Sequence, residues 1–450
     1  MPDKKRNCQS QLISVLALSA AISLAPCAAW AQINTPPPPS HEKGTAPPDD
    51  HDWSAARPGL RHRISPSALP QPFSTDSTTN RSQTVAQPQG AWPVAPEGFK
   101  VERVATGLAE PRNVVAAPNG DLFIAENIST VVVIRLDANG KLATKETFAS
   151  GLTLPYGIAF YPPGPNPQYV YVGNTNSLVR FPYRNGDLKA RGPAEKLAEF
   201  DGGRAFGGGH YTRNLVFSKD GKKLYLAAGS HTNLNDDDKE KWRANVLEFN
   251  PDGTGKRVYA SGIRNPSGIA LNPITNQLWV SVNERDFTGD NMVPDYTTHI
   301  VDGGFYGWPW YYIGQNHDPR MKENPEMKSK VIIPDVLLQA HSSPLSLTFY
   351  TGKSFPAQYR NGAFIALHGS HNRARRTGYK IVFVPTPGGK ATGEYLDFVT
   401  GFVVDDTNVW GRPVGITQAK DGSLVFTDDA SNSVWRVAYT GEKEQSRASR

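Results

Sequence analysis

The 450-residue chain holds two cysteines, Cys8 and Cys27, and both lie within its first 31 residues. From Gln32 onward there is no thiol, which excludes a disulfide framework and any zinc-thiolate centre. Long apolar runs are equally scarce. Only QLISVLALSAAISLAPCAAWA, from Gln11, stands out, and it is broken by serines and Pro26. No other run approaches the roughly 20 apolar residues a membrane span needs. That segment follows Lys4, Lys5 and Arg6 and ends on Ala29-Trp30-Ala31. A basic start, an apolar centre and a small-residue end are the pattern of a cleaved secretory signal peptide over residues 1–31. The expected mature chain is periplasmic or secreted and not transmembrane.

A strong charge of one sign is also missing. The chain has 48 Lys+Arg against 42 Asp+Glu; the leader takes away 3 and 1, leaving 45 against 41, a net of about +4. Without clustered basic stripes this excludes a nucleic-acid binder, while a small anion held by a few local cations remains compatible. No G-x-G-x-x-G follows a strand to open a helix, and no P-loop occurs. The glycine-rich GGRAFGGGH precedes a strand, so nicotinamide and nucleotide cofactors are not expected.

What is present divides into three stretches. Residues 32–96, beginning INTPPPPSHEKGTAPPDDHDW at Ile33, are rich in Pro, Ser, Thr and Gln with few aliphatic side chains to bury, and read as a disordered linker. Residues 97–440 change to short Val, Ile, Leu, Phe and Tyr runs punctuated by Asn-Gly and Asp-Gly, the mark of many short antiparallel strands. Residues 441–450 form a polar tail.

Within 97–440 one phrase recurs: a Pro-x-small-aliphatic start, a turn, then a strand ending near small or acidic residues. Copies start at Glu110, Leu154, Tyr211, Asn265, Ser343 and Arg412. Six copies at this spacing predict an all-β, six-bladed β-propeller. A lone blade leaves both faces of its sheet bare, whereas a closed ring covers them and protects the strand edges. In such a ring the inner-strand starts converge at one mouth of the central channel. The residues at those starts are Arg112, Tyr156, His210, Arg264 with Asn265, His341 and Arg412.

Glycine runs are entropically costly and serve where the backbone bends sharply or something must come close, so the GGG before His210 marks a placed histidine. Arginine forks suit carboxylates, so Arg264, Asn265 and Arg412 together point to a polycarboxylate ligand. Glu284, Asp286, Asp290 and Asp295 stand among turn-forming residues, an oxygen-rich and cysteine-free set of the kind a hard cation such as calcium prefers.

The combination GGGHYTRNLVF, GIRNPSGIALNP, NERD, DGGFYGWPW and ALHGSHNRARRTGYKIVFVP resembles the soluble, six-bladed sugar dehydrogenases that depend on pyrroloquinoline quinone (PQQ), in particular the L-sorbosone dehydrogenase-like branch. The resemblance runs from about residue 98 to 437. It implies oxidation of a sugar-derived alcohol or aldehyde by hydride transfer to PQQ, with His210 as general base. It further implies cofactor contacts from Arg264, Asn265, Arg373 and Arg412, joined by Tyr156 and Arg112 from the channel mouth. A calcium ion is implied at Glu284 and Arg285, through main-chain oxygens, with Asp286 beside them. The partners implied are a small sugar and an electron acceptor, a quinone or a cytochrome.

Three departures stand out. His371 replaces the tryptophan usual in the sorbosone-type GS-x-NR step, Glu284-Arg285 replaces Gly-Pro of the glucose-oxidising branch, and Gly209 stands where that branch often places an acid beside the histidine. His210 must then be oriented by another group. Two other classes fit a propeller: a metal-dependent lactonase or hydrolase using acids such as Glu284, and a carbohydrate-binding propeller without catalysis.

Overall fold

The computed structural model describes residues 52–203 and 208–441. The leader read over 1–31, residues 32–51 and residues 442–450 lie outside the described residues.

Six antiparallel sheets ring a central axis, as the repeat predicts. Their inner strands are Pro111–Ala116, Gly157–Tyr161, Leu215–Phe217, Pro266–Leu271, Pro344–Phe349 and Pro413–Gln418. Asn119-Gly120, Asp220-Gly221 and Asp421-Gly422 form the turns to the second strands in the first, third and sixth blades, each closed by a bond from the glycine N–H to a carbonyl three residues back. Second strands such as Leu122–Glu126 and Leu278–Val282 are buried along their whole length, because the neighbouring blades cover both faces.

The small residue of the repeat has a packing reason. A Cβ on Gly157 would lie 2.4 Å from the Arg213 carbonyl oxygen, and one on Gly415 would lie 2.6 Å from that of Arg112. Inner strands of adjacent blades meet backbone to backbone at these points, which a side chain would prevent. Closure comes from the far ends of the chain. Phe99–Ala105 supplies the outer strand of the sixth blade, pairing antiparallel with Ser433–Tyr439 in a register that sets Tyr439 opposite Phe99.

Polar bonds cross the channel between non-adjacent blades. The Tyr156 hydroxyl donates to the Leu345 carbonyl at 2.8 Å, and Asn113 donates to Asn214 Oδ1 at 3.3 Å. Tyr156 is fully buried against Leu345 and Val414.

The disorder expected for 32–96 is corrected for its described part. Residues 52–96 pack along the ring as an arm. Arg61–His62 adds a fifth strand to the fifth blade, and Gln83–Thr84 pairs in parallel with Asn408–Val409. Asp52, Ser77, Thr78 and Asn80 are buried. Composition misleads here because the arm is held by polar bonds to loops, and its few apolar side chains, Ile64, Leu69 and Val85 among them, pack onto cores that the propeller builds. Asp52 is buried as the shared partner of Arg373, at 2.6 Å, and Arg375, at 2.6 Å.

Candidate active site

Where the inner strands start and the second strands end, the mouth of the ring opens into a cavity of about 430 Å³, within the range of small-molecule sites. His210, Arg112, Arg264, Asn265 and Arg412 all line it, together with Glu284 and Asp286. Six of the ten residues assigned from sequence therefore fall into one pocket as candidates for base, cofactor and metal contacts, or seven with Glu284 through its main chain.

His210 is placed by backbone. Its N–H donates to the Ser230 carbonyl at 2.9 Å, and its ring Nδ1 lies 3.0 Å from the same oxygen. A carbonyl only accepts, so Nδ1 carries the proton and Nε2 is left as the basic nitrogen. The Ser230 carbonyl thus takes the orienting role that no acid at position 209 can fill. Behind it, Arg243 donates to the carbonyls of His210 at 2.7 Å and Gly229 at 2.6 Å. Gly209, at φ +80°, and Gly229 make this possible. A Cβ on Gly229 would sit 2.6 Å from His210 Cβ and 2.2 Å from Asn265 Oδ1, so only glycine lets the histidine and the asparagine approach each other. Burial, with the positive charges of Arg264 and Arg243, holds the His210 imidazole well below its ordinary pKa.

Two charge clusters flank it. Asp429 gathers Arg112, Arg412 Nε at 2.8 Å and His368 Nε2 at 3.0 Å. Burial pushes His368 down to about 4, so it is neutral at physiological pH. On the other side, Arg264 donates to the Glu284 carbonyl at 2.6 Å, to Asn233 Oδ1 at 2.8 Å and to Asp286 at 3.2 Å. His341 and His371 also face Asp286, at 3.5 and 3.6 Å. Against the cost of burial, His371 and Arg264 hold the Asp286 carboxyl well below the usual range. Four polar atoms of residues lining the pocket, Arg112 Nε, Asn127 Oδ1, Thr212 Oγ1 and Asn265 Oδ1, are buried without a hydrogen-bond partner.

The family profile described as TrAA12-like matches residues 93–298 and 310–440. The chain belongs to the TrAA12-like family. An uncharacterised protein of Borreliella burgdorferi is 31% identical over 353 residues, covering 76% of this chain and 90% of that one. The PQQ-dependent pyranose dehydrogenase of Coprinopsis cinerea is 23% identical over 76% of this chain, which spans 54% of that protein's length. The holo PQQ domain of the C. cinerea pyranose dehydrogenase superposes with a TM-score of 0.66 at 21% identity, covering 78% of this chain and 98% of that one. The calcium structure of a Trichoderma reesei family AA12 protein gives 0.68 at 20%, covering 80% and 99%. These superpositions show a shared fold.

Within the TrAA12-like propeller, three assigned residues are displaced from the cavity. Tyr156 lies beneath it, its hydroxyl used by the Leu345 carbonyl. Arg373 is not turned to the pocket: it binds Asp52 of the arm and Asn291 Oδ1 at 2.9 Å. Arg285 is fully buried, donating to the Pro309 and Tyr311 carbonyls and pairing with Glu284 and Asp318, so its side chain braces the GGFYGWPW loop. The Glu284 carboxylate is spent on Arg285, and only its main chain reaches the site.

His368, Asp429 and Ser230 escaped the reading from inner-strand starts. They lie at the ends of second strands, which in an antiparallel hairpin share the mouth with the first-strand starts. The recurring small or acidic strand end was the available signal. Arg81 and Ser82, which also line the cavity, come from the arm and had no periodic signal at all.

Proposed function

We propose that this TrAA12-like protein is an exported PQQ-dependent oxidoreductase that oxidises a sugar or a sugar-derived alcohol or aldehyde and passes electrons to a quinone or cytochrome. The carrying observation is the single cavity in which a neutral, backbone-oriented His210 meets Asn265 and the propeller's Arg112, Arg264 and Arg412. The buried, unpartnered Asn265 amide oxygen and Arg112 Nε fit a ligand rich in carboxylates and ring heteroatoms. Arg112, Arg264, Arg412 and Asn265 would hold it. When bound, the quinone supplies the hydride acceptor. The chain's own part is to orient the substrate carbinol and take its hydroxyl proton on His210 Nε2 as the C–H hydride leaves, which balances an alcohol to a carbonyl.

Calcium would sit on the main-chain oxygens of Glu284 and Arg285, beside the Asp286 carboxylate. The Glu284 and Asp286 oxygens already gather the Arg264 guanidinium, which marks the spot as one that attracts positive charge. A hydrolase reading is disfavoured by the guanidinium groups of Arg112, Arg264 and Arg412 in the cavity, which a neutral lactone does not need.

Apo-protein titrated with PQQ and calcium should show a shifted quinone absorption band that bleaches on adding aldoses or sorbosone. Absence of any spectral change rejects the assignment. Chelation with EGTA is expected to weaken quinone affinity about tenfold or more; unchanged affinity would leave Arg264 as the sole local charge and remove calcium.

The acid limb of kcat/KM is expected below pH 6.5. A general base must be neutral, a histidine is neutral above its pKa, and that of His210 is lowered, so activity persists below pH 6.5 and falls only as the lowered value is crossed. A limb centred at or above 6.5 contradicts the role given to His210.

A further inference from the structure

Behind His210 lie two buried arginines that do not line the cavity, Arg213 and Arg243. Arg213 donates to the carbonyls of His210 at 2.9 Å, Thr212 at 2.9 Å and Asp201 at 3.0 Å. Arg243 follows the short helical turn Asp238–Glu240 and donates to the carbonyls of Gly229 at 2.6 Å, His210 at 2.7 Å and Ser230 at 3.0 Å. The acid that pairs with it, Asp201 at 3.4 Å, is half exposed. Burying guanidinium charge against carbonyls is costly, and apolar side chains would fill the same space without that cost. Departures of this kind concentrate where function needs them.

The two arginines differ in one contact. Both grip the His210 carbonyl, but Arg243 also holds the Ser230 carbonyl, the oxygen that accepts the His210 ring proton at 3.0 Å. The Ser230 hydroxyl, 3.1 Å from the same Nδ1, gives its own proton to the Thr232 carbonyl, so towards the ring it too can only accept. The loop carrying both acceptors is tied down further along, where the Glu240 carboxylate accepts from His231 N at 2.7 Å and Thr232 N at 2.9 Å. Gly209 lets the guanidinium in: a Cβ there would lie 2.7 Å from Arg243 Nη2. The charges acting on the imidazole are those of Arg264 and Arg243, positive, and Asp286, negative.

We propose that Arg243 is a positioning residue for the oxidation: by binding the His210 and Ser230 carbonyls together it fixes the ring with Nδ1 protonated and Nε2 free for the substrate. This rests on the role given to His210 above. The test is isotope-edited nitrogen NMR of histidine-labelled apo-protein, which reads the tautomer and pKa of His210 without quinone or sugar, His210→Gln assigning the signal. Stopped-flow quinone reduction across a pH range accompanies it, for wild type, Arg243→Gln, Arg243→Lys and Arg213→Gln. Wild type is expected to show the Nδ1-protonated tautomer alone. Arg243→Gln should mix the tautomers and, because one positive charge fewer makes a proton easier to place on the ring, raise the His210 pKa and the acid limb by about half a pH unit or more. Its kcat should fall about tenfold or more at unchanged quinone affinity. Arg243→Lys, which keeps the charge with fewer bonds, should hold the limb near that of wild type and recover part of the rate. Arg213→Gln, which gives up the His210 carbonyl but leaves the Ser230 contact, should melt at a lower temperature with the tautomer unchanged. A wild-type tautomer and acid limb in Arg243→Gln overturn the proposal, as does equal mixing in Arg213→Gln, since the arginines would then serve the fold in general. If Arg243→Gln does not fold, Arg243→Lys decides, and a wild-type kcat there overturns the proposal. A wild type without quinone-dependent turnover removes the enzyme reading and leaves the tautomer comparison to decide the role of Arg243.

Discussion

His210→Ala is expected to lower kcat by about a thousandfold while quinone affinity stays within a few-fold of wild type. Positioned proton transfer contributes roughly 10²–10⁴-fold, and His210 is the neutral imidazole whose Nδ1 is fixed by the Ser230 carbonyl, leaving Nε2 to act. Of the other imidazoles in the cavity, His368 is bound through its own Nε2 to Asp429 at 3.0 Å, and His341 and His371 face the Asp286 carboxylate at 3.5 and 3.6 Å, so none is held as His210 is. Stopped-flow reduction of the bound quinone by saturating sugar isolates the step. A mutant rate within tenfold of wild type would mean that another group accepts the proton. His210→Gln, which retains a polar side chain without basicity, should be as slow as the alanine variant.

Asp429→Ala should be the most damaging single change to the pocket's integrity. One buried carboxylate holds Arg112, Arg412 and His368, and its loss leaves two guanidinium groups facing each other without a counter-charge. Removing one partner of a buried ion pair costs about 3–5 kcal/mol, enough to be read by urea denaturation. Asp429→Asn keeps an acceptor and should lose less. The pH dependence has a definite sign. His368 and the arginines, against the cost of burial, hold Asp429 well below the usual carboxylate range. A carboxylate with a depressed folded-state pKa stabilises fully above its unfolded value of about 3.9 and gives that up only as pH falls towards the folded value. The gap between wild type and Asp429→Asn should therefore be flat above about pH 5 and narrow on acidification. A gap that grows in acid, or an alanine variant as stable as wild type, would show that the cluster does not carry this energy.

The ring was legible because each blade solves the same packing problem and so repeats the same residues: a proline, a small residue where neighbouring backbones touch, and a turn. The cationic half of the site was legible for a related reason, since first-strand starts all face the mouth. Arg373 misled because its motif places it near the mouth in sequence while a carboxylate from the arm, Asp52, draws it aside. Arg285 misled because a loop of aromatic residues needs its carbonyls satisfied, and a buried guanidinium does that. Neither long-range partner leaves a local trace. The arm itself was misread for the opposite reason: hydrophobic content reports cores, whereas much of this segment is tied down by hydrogen bonds whose partners lie more than 200 residues away.

The pairing of Phe99–Ala105 with Ser433–Tyr439 also governs when the molecule becomes competent. Such a contact joins residues more than 300 positions apart, and contacts of that separation form late. A nascent chain that stops short of Ser433 leaves the sixth blade without its third strand and the circle open, with Arg412 and Asp429 unable to face Arg112 across the seam. Assembly of the pocket is then an all-or-none event at the end of synthesis, and a truncated chain has no half-formed pocket in which to trap a redox group.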